Sequence, residues 1–355
     1  MLSYINRQRA IIFSVASALV LVWPEYPTEI SSSHLRRQMQ GNITAGELLI
    51  LADEDLPSWN VMNATVSFPK ASSNNEDSEM SPIMHTFFEP DPKGWCCGMI
   101  NYDHHDLVRA WEKAWQDKGW ATKVLKKEDA MKHPEFEAFS KLFRDTSLSE
   151  YNQKCYWRWL AMASIFDDND PTSNGGGGGG FMSDYDTIPL DLNAEMGRQL
   201  MAANDGKFTT YQGHVPSLIH ASRVEWDRVL HLMVSAIPEG SHPSASDMIT
   251  LLKVIESVED TDIVWRQNVL RSFPYIKTDE GKVIFDCQKV KNMKAVHLSH
   301  KASMTAYLEG FYPDITMKRG IIGGRVQVAL RVMKDYEEQC KQKEDGQVLP
   351  IATQR

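Results

Sequence analysis

The run Gly179-Gly-Phe-Met-Ser-Asp184-Tyr-Asp186-Thr-Ile-Pro-Leu190 decides how this chain is read. A glycine pair and an apolar strand start lead into two acids spaced by one residue. A half-buried strand turns residues i and i+2 to the same face, so this reading puts both carboxylates together and points Tyr185 away. Two hard oxygen donors held side by side suit Mg²⁺ or Mn²⁺, with the remaining coordination positions left for water and substrate phosphates. The plainer alternative is a polar strand end whose aspartates organise a turn. The same spacing recurs at Asp53/Asp55, Asp168/Asp170 and Asp260/Asp262, but in polar, loop-like or acid-rich surroundings. None of those pairs follows a glycine run and an apolar strand start together.

Working outward, Pro82-Ile-Met-His-Thr-Phe-Phe88, which carries His85, reads as an apolar strand. Residues 107–117 carry Leu107, Val108, Trp111, Ala114 and Trp115 at helical spacing, and Gly119 stops the helix. Residues 120–125 read as the next strand, and 128–132, 134–143 and 151–166 as helices. The order strand, helix, strand, helices, strand predicts an α/β fold with a mostly parallel central sheet flanked by helices, whose ligands sit at the carboxyl ends of strands. The C-terminal half alternates less clearly. Strands are expected at 217–222 and 295–300 and helices at 226–236, 248–258 and 324–343. Residues 167–180, with six consecutive glycines, read as a flexible insertion, except that Gly179 and Gly180 could let backbone approach a ligand because no Cβ intervenes.

A chain of 355 residues, with 42% hydrophobic and 24% charged residues, can bury a substantial core. A net charge of −9 and no basic cluster interleaved with aromatics exclude a nucleic-acid partner on electrostatic grounds. Arg7 and Arg9 precede an uncharged stretch, 10–23. As a helix it would rise roughly 21 Å, short of a bilayer core of about 30 Å. It reads as a short signal anchor with a cytosolic N-terminus and everything after Pro24 lumenal. A cleaved signal peptide of a secreted chain and a buried N-terminal helix stay open as alternatives. Sequons at Asn42 and Asn63 fit a glycosylated stem. The resulting division is 1–23 tail and anchor, 24–81 polar stem, 82–310 main α/β domain and 311–355 helical extension with a polar tail. The five cysteines show no zinc spacing, and one or two disulfides of unreadable pairing are expected.

Lys154-Cys-Tyr-Trp-Arg158-Trp-Leu, followed by the glycine pair and Asp184-Tyr-Asp186, resembles the sugar-binding region of DXD-containing glycosyltransferases. That group includes Golgi mannosyltransferases of fungi and capsular polysaccharide transferases. The likeness covers residues 82–190 and is diffuse beyond them. It implies a GT-A-like fold and a metal-dependent, retaining transfer of a sugar from a nucleotide-sugar donor to a glycan, protein or lipid acceptor, in the lumen of the Golgi or endoplasmic reticulum. It also implies Asp184 and Asp186 on Mn²⁺ or Mg²⁺ and the donor diphosphate, Arg158 facing the donor with Lys154 beside it, His85 at the end of the first strand in reach of the nucleotide base, and a late histidine as a further metal ligand. His297 is preferred to His300 for that role because of its apolar neighbours. At the positions of Lys154 and Cys155 the family usually has Ser-Asp, so a donor-contacting carboxylate is missing here. A tethered, non-catalytic binding protein of the same fold is the alternative. Glu225 and Asp227 are the candidates for a catalytic base, and the stretch containing His214 and His220 for the acceptor site.

Overall fold

The computed structural model describes residues 81–96, 99–165, 179–237, 245–257, 263–271, 273–312 and 324–341, all within a unit that runs from Ser78 to Arg355. The stem, both sequons, the 10–23 segment and the other three Asp-x-Asp pairs lie outside the described residues. No helix among the described residues is long and apolar enough to cross a membrane.

Strands β1 (Ile83–Phe87), β2 (Trp95–Cys96) and β3 (Met99–Ile100) lead into helix α1 (Asn101–Gln116) and β4 (Ala121–Leu125). Helices α2 (Lys127–Ala130), α3 (Phe136–Asp145) and α4 (Glu150–Ala163) follow. Then come β5 (Gly179–Ser183), β6 (Thr187–Pro189), α5 (Ala194–Ala203), β7 (Thr209–Thr210), β8 (Leu218–Ser222), α6 (Arg223–Ser235) and α7 (Asp247–Ser257). The last third holds β9 (Val264–Trp265), β10 (Val269–Leu270), β11 (Tyr275–Lys277), β12 (Val283–Phe285), α8 (Cys287–Val290), β13 (Ala295–His297), α9 (His300–Leu308) and α10 (Arg325–Tyr336), which runs on into a π turn, Glu337–Lys341.

The main sheet has the order β4-β1-β5-β8-β7-β9. The β4/β1, β1/β5 and β7/β9 pairs are parallel, while β8 runs antiparallel to both neighbours. This is the α/β class with a mostly parallel central sheet. Alternation along the strands divides the core in two. Met182, Ile219 and Ala221 face α3, α4, α6 and α7, packing among Phe143, Tyr156, Trp159, Leu160 and Trp226. Phe181 and Leu218 face the opposite layer, with Met84, Trp111, Trp115, Trp120 and Leu200. Helix α4 begins where Ser149 caps it, its side chain accepting from the Asn152 N–H.

A second, three-stranded sheet, β10-β13-β6, lies beyond β5. There β13 pairs antiparallel with β6, setting His297 opposite Thr187. Its core contains Ile188, Leu190, Val296 and Tyr312 and takes in Val328, Ala329, Val332 and Tyr336 of α10. The helix expected as a C-terminal extension is therefore packed into this core, and residue 311 marks no break in packing. Cys287 and Cys340 form a disulfide that joins α8 to the turn after α10, and Cys155 is free.

Candidate metal centre

Strand β5 stops at Ser183, and Asp184-Tyr-Asp186 is a turn, closed by the Thr187 N–H donating to Asp184 O at 2.9 Å. The expectation that strand pleating brings the two acids together is corrected here. They converge because the chain leaves the main sheet at Ser183 and joins the second sheet at Thr187, reversing direction between. Tyr185 does point away, its hydroxyl bonding His104 Nδ1 at 3.0 Å. Two indoles one helical turn apart in α1 hold the ends of the turn. Trp111 Nε1 donates to Ser183 Oγ at 2.8 Å and Trp115 Nε1 to Thr187 O at 3.2 Å. Each buries a large apolar ring and satisfies its one polar atom, which is how tryptophan stabilises a buried corner.

Each carboxylate of the turn is divided between two neighbours. Asp184 Oδ1 accepts from Arg158 Nη1 at 2.5 Å, while Oδ2 faces His297 Nε2 at 4.0 Å. Asp186 Oδ2 accepts from Arg325 Nη2, and Oδ1 lies 3.5 Å from the same His297 nitrogen. The outer oxygens are thus held by guanidiniums, and the inner ones converge with an imidazole nitrogen. Ligand atoms of Asp184, Asp186 and His297 lie within 4.8 Å of one another. Around an ion with bonds of about 2.1 Å, two ligands stand roughly 3.0 Å apart at a right angle and roughly 4.2 Å apart across the ion. The separations of 3.5 and 4.0 Å fall between those limits. The group can hold a metal ion.

The histidine is held in one orientation. Its Nδ1 lies 2.9 Å from Gln212 Oε1, which also accepts from Ser217 Oγ. An amide oxygen can only accept, so Nδ1 carries a proton, and Nε2 is the nitrogen offered to the aspartates.

The two acids feel opposite fields. Burial pushes the Asp184 carboxyl up; Arg158 opposes this and the charge of Asp186 adds to it. Burial acts on Asp186 as well, but Arg325 and then His297 outweigh it and hold that carboxyl well below the usual range. Burial would lower His297, yet the charge and hydrogen bond of Asp186, helped by Asp184, raise it.

Of the other expected site residues, Arg158 reaches the turn from α4, while Lys154, one helical turn earlier, lies 3.8 Å from Glu150. His85 is in the middle of β1, 2% exposed, with Nδ1 bonded to Phe181 O at 2.9 Å, so it packs within the sheet and cannot reach a base. Gly179 and Gly180 stand at the amino end of β5, roughly 16 Å from the acids at about 3.3 Å per residue. A Cβ on Gly179, whose φ is +102°, would lie 2.5 Å from Arg223 N. The close approach there is by β8 and α6 and not by a ligand.

Glu225 pairs with Arg228 at 2.7 Å, and Asp227 with His133 at 2.9 Å, both on α6, which starts at the far end of β8. Neither serves the turn as a base. His220 is fully buried against Phe181 and Tyr211, where burial pushes its pKa down to about 3, so it does not meet an acceptor. His214 lies in the turn between β7 and β8, two residues from Gln212, and His300 is the first residue of α9.

Sequence reading did not find Asp247, Arg325, Gln212 or Ser217. An acid opening a helix reads as a cap, an arginine after two glycines as a surface cation, and neither carries a spacing signal. Asp247 gives Arg158 a second carboxylate partner beside Asp184. No family model, curated protein or solved structure matches this chain.

Proposed function

We propose that this chain is a metal-dependent glycosyltransferase of GT-A-like fold, acting on a nucleotide-sugar donor. The observation that carries the reading is the convergence of Asp184 Oδ2, Asp186 Oδ1 and His297 Nε2 at the carboxyl end of β5, which is parallel to β1. Ligand sites of open α/β sheets lie at that edge. Two carboxylate oxygens and one imidazole nitrogen favour Mn²⁺, which accepts both donor types, over Mg²⁺. A bound divalent ion supplies Lewis-acid stabilisation of the negative charge that builds on a leaving diphosphate.

The surrounding charges favour an anionic substrate. Asp184, Asp186 and Asp247 face Arg158 and Arg325. With a divalent cation added and His297 neutral, the group is left one positive charge in excess, and a diphosphate complements it. Arg158, fixed between two carboxylates, stays protonated, because Asp247 and Asp184 raise its pKa against the effect of burial. It offers a permanent positive charge beside the turn. The Cys287–Cys340 disulfide supports a lumenal or secreted setting, since such bonds persist in oxidising compartments.

The test is nucleotide release by the full chain from a panel of nucleotide sugars, with and without Mn²⁺ and with a mixed acceptor pool. Release from one donor that requires Mn²⁺ and disappears in Asp184→Ala and Asp186→Ala supports the proposal and names the donor. No release by folded wild type, with Mn²⁺ and nucleotide still bound, favours the non-catalytic binding protein. No binding of either makes the turn structural.

A further inference from the structure

Asp247 touches the same arginine as Asp184 but is placed to do something different. It opens α7 and its side chain is 4% exposed. Its Oδ2 accepts from Arg158 Nε at 2.9 Å, from Arg158 Nη2, and from Trp159 Nε1 at 2.9 Å. Its Oδ1 accepts from the Met248 N–H at 2.8 Å. Both oxygens are engaged by donors that belong to the fold, so Asp247 is not a ligand in waiting.

The consequence lies with Arg158. A guanidinium beside a single carboxylate prefers the two-pronged arrangement, two parallel N–H groups onto two oxygens. Here the Nε/Nη2 edge is given to Asp247, and Nη1 reaches Asp184 Oδ1. Asp184 Oδ2 is left facing His297. Arg325 is restrained in a comparable way, with Nε and Nη2 on the Leu298 carbonyl at 3.2 and 3.0 Å while Nη2 also meets Asp186 Oδ2. On both acids, then, the arginine is anchored elsewhere and grips one oxygen.

We infer that Asp247 is a positioning residue, which by taking the forked edge of Arg158 keeps Asp184 Oδ2 available to a divalent cation. This rests on reading Asp184, Asp186 and His297 as a cation site. Without the charge of Asp247, Arg158 turns its edge onto Asp184 and occupies both oxygens.

Titration of Mn²⁺ alone into the full chain, followed by the electron paramagnetic resonance signal of free ion, tests this without any donor sugar. Wild type binds Mn²⁺, Asp247→Asn binds at least tenfold more weakly, and Asp247→Glu stays within threefold of wild type. In Asp247→Asn/Arg158→Gln, where no cation is left to close on Asp184, affinity returns to within threefold of wild type. A role confined to stabilising α7 would not show that rescue. The double variant also decides the matter if Asp247→Asn fails to fold, because it leaves no buried guanidinium short of a partner, and Asp184 still faces His297. Asp247→Asn within twofold of wild type overturns the inference, as does a folded double variant at least tenfold weaker than wild type. Wild type that binds no Mn²⁺ overturns the metal reading itself, and this inference with it.

Discussion

At the amino end of β5 the backbone of α6 comes within 2.5 Å of where a side chain on Gly179 would begin. At its carboxyl end Asp184 and Asp186 meet Arg158, Arg325 and His297, with Asp247 behind them. The first end is a steric solution. Backbone meets backbone, and the indole of Trp226 satisfies Gly180 O at 3.2 Å. The second is an electrostatic compromise, in which two acids one residue apart are shifted in opposite directions. One strand thus separates an end settled by steric fit from one that holds opposed charges together, the kind of local conflict that concentrates at functional sites.

The largest way to sharpen that contrast is at the glycine end. Gly179→Val combines overpacking against backbone with an unfavourable positive φ, and should lower stability by about 4 kcal/mol in urea unfolding. The Mn²⁺ stoichiometry of the folded fraction should not change. Asp184→Asn should do the reverse. Mn²⁺ affinity by calorimetry should fall about 100-fold, or about 2.7 kcal/mol, while folding stability moves by less than about 1 kcal/mol, since Asp247 still neutralises Arg158. A large loss of stability in that variant would break the comparison.

His220, opposite Phe181 of β5, gives the third test. Burial, and then Arg266, depress its folded pKa to about 3. The stability this represents is present above the unfolded pKa of about 6.5 and is lost as pH falls towards 3. Chemical denaturation at pH 5 should show about 2 kcal/mol less stability than at pH 7 from this group, a difference that should disappear in His220→Gln.

The smallest effect belongs to a control site on α6. His231 is raised despite burial, by the Asp227 backbone and Glu135. Its contribution is full below the unfolded pKa and fades as pH rises through the folded one. Its side chain is well exposed, so His231→Gln should change the unfolding free energy at pH 6 by no more than about 0.5 kcal/mol and leave that at pH 8 unchanged.

The sheet strands β1, β4, β5 and β8 were legible because each is a five-residue segment with two or three apolar residues between turn or helix signals. Strands β6, β7 and β10, two or three residues long, are too short for a period to register, and α5 was hidden among small residues behind its Asn193 cap. The acids of the site were readable from their local spacing, although the mechanism of their convergence was not. Pleating was expected, and a turn between two sheets achieves it. Asp247 and Arg325 were invisible because their partners are 89 and 139 residues away in sequence. Proximity of that kind is created by topology and leaves no local pattern.

The covalent link between Cys287 and Cys340 turns the 53-residue separation between them into a closed ring. His297 and Arg325 are both members of that ring. Closing a loop of this size removes about 4 kcal/mol of freedom from the unfolded chain. The two groups that meet Asp186 from the C-terminal half therefore travel on one covalent loop and are delivered together. Opening the ring lets the His297 arm and the Arg325 arm wander independently in the unfolded chain. A reducing environment would then reach the acidic turn through the statistics of the chain, without altering any charge in it.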